Sequence, residues 1–198
     1  SLVGHSRGAL PVARIALEHP EMVQGLIILD SSTLAPDDPA TAAHTRSFYA
    51  QLFANAPPVP TAEYVRREPD ANSYFQSHIT DDYVEKILEI ARLPKMLEAQ
   101  KKMKRLAAQY DADIARMRAE TLQMIQSGRL KAPTLILWGY NDPSAPLELG
   151  LKLLDIIAAA QPQTQMHILN QAGHYLCRDQ VDYFNQAVIS FVEGLRTA

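Results

Sequence analysis

Apolar positions fall into two regular zones separated by an irregular one. Near the start, Leu2 and Val3 form the tail of a buried strand. Ala9 to Glu18 follows with helical spacing, Val12, Ile15 and Ala16 sharing one side. His19-Pro20 ends that helix, because the residue before a proline is pushed out of the α region. Gly25 to Asp30 then carries a short unbroken apolar run, the pattern of a parallel strand covered on both faces. The far end repeats the theme. Thr134 to Trp138 is another buried-strand run, Leu147 to Ala160 a helix and Gln165 to Leu169 a strand. From Gln180 to Leu195, Val181, Phe184, Val188, Phe191 and Leu195 lie on one helix face. Alternating strands and helices over 1–33 and 129–198 predict an α/β core with a parallel sheet.

Residues 34–128 break that rhythm and read as an insertion. The first half is predicted to be loop-like, with Pro36, Pro39, Pro57, Pro58 and Pro60. The second half, Asp81 to Gln126, is helical and polar. Thr80-Asp81-Asp82 can cap a helix that carries Val84, Ile87, Leu88 and Ala91 at i, i+3, i+4 and i+7. Lys101, Lys102, Lys104 and Arg105 read as a solvated helix face rather than a docking patch. No internal repeat or low-complexity tract is present.

Composition narrows the class. The 198 residues are 47% hydrophobic and 21% charged, which suits one globular domain with a sizeable core. A net charge of -3 offers no electrostatic case for nucleic acid or an anionic membrane. No run of apolar residues is long enough for a membrane span, and no signal peptide is visible. The single cysteine, Cys177, excludes an internal disulfide framework and fits a reducing, cytoplasmic compartment.

The chemistry concentrates in three loops. Gly4-His5-Ser6-Arg7-Gly8 lies between a strand tail and a helix start, the setting a nucleophile elbow requires. Small residues at Gly4, Gly8 and Ala9 let that tight turn pass close to its neighbours. Ser6 is the candidate nucleophile, and the backbone N–H of Arg7 can serve an oxyanion at the helix start. A serine hydroxyl needs a base, and His174 is the best placed of six histidines. It lies in Ala172-Gly173-His174-Tyr175, after the last strand and before the last helix. The imidazole needs an acid in turn. Asp142, in the loop Trp138-Gly139-Tyr140-Asn141-Asp142-Pro143, is preferred, and Asp30 at the end of the preceding strand is the alternative. Both preserve the order Ser, Asp, His. Asp155, Asp179 and Asp182 fall on helices and are expected to be solvated. His5, Tyr175 and Trp138 are candidate pocket residues. No metal-ligand spacing and no glycine-rich nucleotide loop is found, so no metal or cofactor is expected.

With these three motifs in order, the chain resembles the α/β-hydrolase superfamily over nearly its whole length outside the insertion. The resemblance implies a Ser-His-Asp triad, an acyl-enzyme, and a lid inserted after the sixth strand, where 34–128 stands. Since the nucleophile of that fold follows the fifth of about eight strands, it also implies that this chain is the C-terminal half of such a sheet. A missing N-terminal segment, or a second chain completing the sheet, is the expectation; a homo-oligomer stays open. Pro146 to Leu154 is similar to the meta-cleavage-product hydrolases, which cut a carbon–carbon bond in 2-hydroxy-6-oxo-dienoates during aromatic degradation. Those enzymes usually carry Asn before the serine, Met after it and Trp after the histidine, where His5, Arg7 and Tyr175 stand here. Their lid arginine, which grips the substrate carboxylate, falls near Ile87, with Lys86, Arg92 or Arg7 as candidate substitutes. The resemblance therefore implies a small-molecule substrate, either such a dienoate or a small acyl ester. A hydrolase-like protein that holds a ligand with little turnover is the rival.

Overall fold

The computed structural model describes residues 1–197. Four parallel strands form one sheet in chain order: β1 (Leu2–His5), β2 (Leu26–Leu29), β3 (Thr134–Gly139) and β4 (Thr164–Leu169). Every residue of β2 and β3 is buried, which is why both read as unbroken apolar runs. Successive strand residues point to opposite faces and so seed two cores. Ile28, Ile136 and Trp138 pack with α1 (Ala9–Glu18) and α7 (Leu147–Ala160). Ile27, Leu29, Leu135 and Leu137 pack instead against α9 (Val181–Thr197), through Phe184, Val188 and Phe191. The result is a sheet with helices on both faces. Helix α1 approaches closely because Ala9, Ala13 and Ala16 are the residues it buries alongside Leu10 and Leu17.

Gly4 makes that approach possible. A Cβ there would lie 2.6 Å from the Ala9 Cα and 2.7 Å from the Gly8 carbonyl, both backbone atoms that cannot swing aside. Gly4→Ala is therefore expected to cost about 3 kcal/mol, read as a lowered midpoint of urea unfolding at unchanged slope. Gly8 is different: its φ is -65° and a Cβ would meet open space, so the turn does not require glycine there.

Between β2 and β3 lie five helices: α2 (Pro39–Leu52), α3 (Ala62–Asn72), α4 (Asp81–Ala91), α5 (Pro94–Arg105) and α6 (Ala107–Gln126). The first half of this insertion is thus helical, not loop-like. Its prolines do not prevent helix. Pro39 occupies the first turn of α2, where its missing N–H has no partner to lose, and the Asp38 carboxylate caps the turn by accepting from the Thr41 N–H at 3.1 Å. Pro57, Pro58 and Pro60 form the connection to α3. The Thr80 cap of α4 is present, its hydroxyl accepting from the Tyr83 N–H at 3.2 Å. Leu122 and Ile125 at the end of α6 join the core beside α1 and α7, which ties the insertion to the sheet.

Candidate active site

All the candidate chemistry emerges at the C-terminal ends of the four strands, the edge where open parallel sheets hold their ligands. Ser6 follows β1 directly, at the start of a single 3₁₀ turn (Ser6–Gly8) that runs into α1. Its φ is 53°, a left-handed conformation rare for a side-chain-bearing residue. Such local strain marks sharp turns that push one side chain out of the chain's path. The Ser31 hydroxyl pins the turn by donating to the Ser6 carbonyl at 2.6 Å.

His174 stands in the loop after β4. Its Nδ1 bonds the Asp142 Oδ2 at 2.7 Å, and both side chains are shielded from solvent. The other Asp142 oxygen accepts from the Ser144 N–H at 2.7 Å, the Ser144 hydroxyl at 3.0 Å and the Ala145 N–H at 2.8 Å. Those donors fix the carboxylate and leave the second oxygen to the imidazole. Asp30, the alternative acid, lies close by but makes no bond to an imidazole among the described residues. Its Oδ1 accepts from the Gly139 N–H at 2.7 Å, and its buried Oδ2 meets no partner. Burial first, then the nearby Asp142 charge, pushes the Asp30 carboxyl well above the usual carboxylate range.

The histidine loop is held from the insertion. The His174 N–H donates to the Asn72 carbonyl at 2.7 Å, across a gap so narrow that a Cβ on Gly173 would strike that same carbonyl. Asp179, expected to be solvated, is the opposite: its side chain is fully buried. It accepts from the backbone N–H groups of Gly173, Tyr74 and Phe75, each at 2.9 Å, and contacts the His78 Nε2 at 3.3 Å. One carboxylate therefore joins the histidine loop to the segment linking α3 and α4. Its position at the end of the four-residue helix α8 (Leu176–Asp179) turns it inward, which helical patterning alone does not reveal. Asp155 and Asp182 are exposed, as expected. Asp179→Ala would strand three backbone donors and is expected to cost about 3 kcal/mol, measured by urea unfolding.

A cavity of about 1030 Å³ opens over Ser6 and His174. Helices α2, α3 and α6 close it through residues such as Tyr49, Glu68 and Tyr110. His5 and Tyr175 line it too. The His5 Nε2–H donates to the His174 carbonyl at 2.7 Å, and burial followed by the His174 charge lowers its pKa to about 4. His5 is therefore neutral at physiological pH. Trp138 does not belong to the pocket. The pleat turns it to the α7 side of the sheet, where it is fully buried and its Nε1–H donates to the Ala145 carbonyl at 2.7 Å.

Of the three candidate cations only Arg7 lines the cavity, and Arg46, not anticipated from the sequence, joins it. Arg7 lies 5.7 Å from the Tyr110 ring centre, and Arg46 on α2 lines the same space without an acidic partner among the described residues. Lys86 instead pairs with Glu89, and the Arg92 Nε–H donates to the Pro60 carbonyl at 3.0 Å, so neither substitutes in the pocket. Among the described residues no group of His, Cys, Asp and Glu is arranged to hold a metal. No described helix is long and apolar enough to cross a membrane.

A parallel sheet with a strained serine turn after one strand and a bonded Asp–His pair after two others defines an α/β-hydrolase-type site. The family model for the alpha/beta hydrolase fold matches residues 1–180, and the chain belongs to that family. Among curated proteins it is 27% identical over 198 residues to a 2-hydroxy-6-oxononadienedioate/2-hydroxy-6-oxononatrienedioate hydrolase of Cupriavidus pinatubonensis, covering 96% of this chain and 61% of that one. The enzyme of the same name from Escherichia coli K12 is 27% identical over 196 residues, with the same coverage of 96% and 61%. The chain thus spans less than two thirds of these relatives. Among solved structures, a meta-cleavage product hydrolase (CumD) variant superposes with a TM-score of 0.73 at 23% identity, covering 97% of this chain and 64% of that one. The 2-hydroxy-6-oxo-6-phenylhexa-2,4-dienoate hydrolase (BphD) of Rhodococcus sp. strain RHA1 gives 0.64 at 18% identity, with coverage of 96% and 63%.

Proposed function

We propose that this chain carries the nucleophile, base and acid of a serine hydrolase that works through an acyl-enzyme on a small acyl substrate. The observation that carries this reading is the 2.7 Å Asp142–His174 bond beside the cavity into which Ser6 opens. Ser6 Oγ attacks a carbonyl carbon while His174 Nε2 takes its proton. Asp142, on Nδ1, keeps the imidazole in the tautomer that leaves Nε2 free and stabilises the imidazolium that forms. The Arg7 backbone N–H donates to the oxyanion. His174 then protonates the leaving group, and a water activated by the same imidazole releases the acid. The helical insertion over residues 34–128 acts as the lid, and its helices supply the wall opposite Ser6.

The names of the relatives favour a second, narrower reading, hydrolysis of a carbon–carbon bond in a 2-hydroxy-6-oxo-dienoate. Titrating the intact protein with an activated aryl phosphonate tests the shared core of both. One phosphonyl group per chain, located by mass on the Ser6 peptide, is expected. A protein that binds ligand without a reactive serine gains no mass.

A further inference from the structure

The cavity wall beside His174 carries a fixed negative charge. Glu68 on α3 lines the cavity, and its carboxylate accepts the Tyr175 O–H at 2.7 and 2.9 Å and the Asn72 side-chain N–H at 2.8 Å. Both donors are neutral, and no cation pairs with Glu68 among the described residues. Burial and the Glu68 charge push the Tyr175 phenol upward, which keeps it a donor. Asn72 is fully buried and its carbonyl receives the His174 N–H, so the carboxylate is tied through two partners to the loop that holds His174. His5, on the same wall 5.8 Å from the Tyr175 ring, adds no positive charge at neutral pH. The cavity's unpaired cations, Arg7 and Arg46, belong to the serine turn and to α2.

This placement has a mechanistic meaning. A general acid delivers its proton to the leaving group, so the departing half of the substrate lies on the His174 side of Ser6. A carboxylate in that half would face Glu68, and like charges held together at a partly desolvated wall repel strongly. Resting on the serine-hydrolase reading, we propose that Glu68 determines specificity by excluding carboxylates from the leaving half of the substrate. The chain takes compounds whose leaving group is uncharged or cationic, such as an alcohol or phenol. A carboxylate, where the substrate has one, sits in the acyl half near Arg7 and Arg46. Cleavage of a 2-hydroxy-6-oxo-dienoate at its 6-oxo carbon releases the half that bears the carboxylate, so the proposal stands with the ester reading and against the narrower carbon–carbon one.

Two chromogenic esters matched in all but charge test this: 4-acetoxy-3-nitrobenzoate and its primary amide, hydrolysed by the intact protein. The wild type is expected to favour the amide by about tenfold or more in kcat/KM. Glu68→Gln should bring that ratio near one. Tyr175→Phe, which keeps the carboxylate, should retain the preference. Equal turnover of the two esters by the wild type overturns the proposal, as does a ratio unmoved in Glu68→Gln. Loss of the preference in Tyr175→Phe assigns it to the phenol and overturns it too. Absence of turnover with both esters overturns the serine-hydrolase reading, and this inference with it.

Discussion

Ser6→Ala is expected to abolish turnover of 4-nitrophenyl acetate by the intact protein, lowering kcat by about 10⁴-fold or more. The reason is that one oxygen carries the covalent step. Without Oγ no acyl-enzyme forms, and neither the imidazole nor the oxyanion donor has a reaction to assist. The fold should survive the change. Among the described residues the bond that pins this turn is made to the Ser6 carbonyl by the Ser31 hydroxyl, and alanine keeps that carbonyl. Alanine must also accept the φ of 53°, a strain the serine already bears. Thermal unfolding within a few degrees of wild type should therefore accompany the loss of activity, and the phosphonyl adduct expected on the Ser6 peptide should not form. Turnover within tenfold of wild type in a folded variant would sink the assignment of Ser6.

The parts of this site that were legible in the sequence are those where short-range pattern and chemistry coincide. β2 and β3 are buried on both faces, so their apolar runs show without a tertiary context. α1 is bounded as predicted because His19-Pro20 stops it and a strand-to-helix turn starts it. What stayed hidden depends on long-range contacts. Helix α2 lacks a clean apolar stripe because it is half-exposed over a cavity, and Pro39 disguises its start. Glu68 is one more charge in a stretch that reads as loop-like until Tyr175, 107 residues away, is brought to it. Asp179 reads as a surface acid, yet the segment linking α3 and α4 lays two backbone N–H groups on it. Trp138 stands next to the site in sequence, but a strand's period of two turns it to the opposite face.

The two acids should separate cleanly when each is made an amide. Asp142→Asn replaces the oxygen that faces the His174 Nδ1 with an N–H₂ donor, which forces the imidazole into the other tautomer and occupies its Nε2 with a proton. kcat is expected to fall about 10⁴-fold, as it does when the acid of a Ser-His-Asp site becomes an amide. Asp30→Asn should leave kcat within about tenfold, because the Asp30 oxygen that bonds the Gly139 N–H is kept and no imidazole depends on the other. Its signature is in stability. Burial and Asp142 raise the folded-state pKa of Asp30 above its unfolded value near 4, so the folded chain holds this proton more tightly than the unfolded one. That contribution is fully present below pH ~4 and is lost as pH rises toward the folded pKa. Asparagine has no proton to lose. The unfolding free energy of Asp30→Asn relative to wild type should therefore increase with pH from about 4 upward, as followed by urea unfolding across that range. If Asp30→Asn is the inactive variant and Asp142→Asn the active one, Asp30 is the acid and the Asp142–His174 bond is structural.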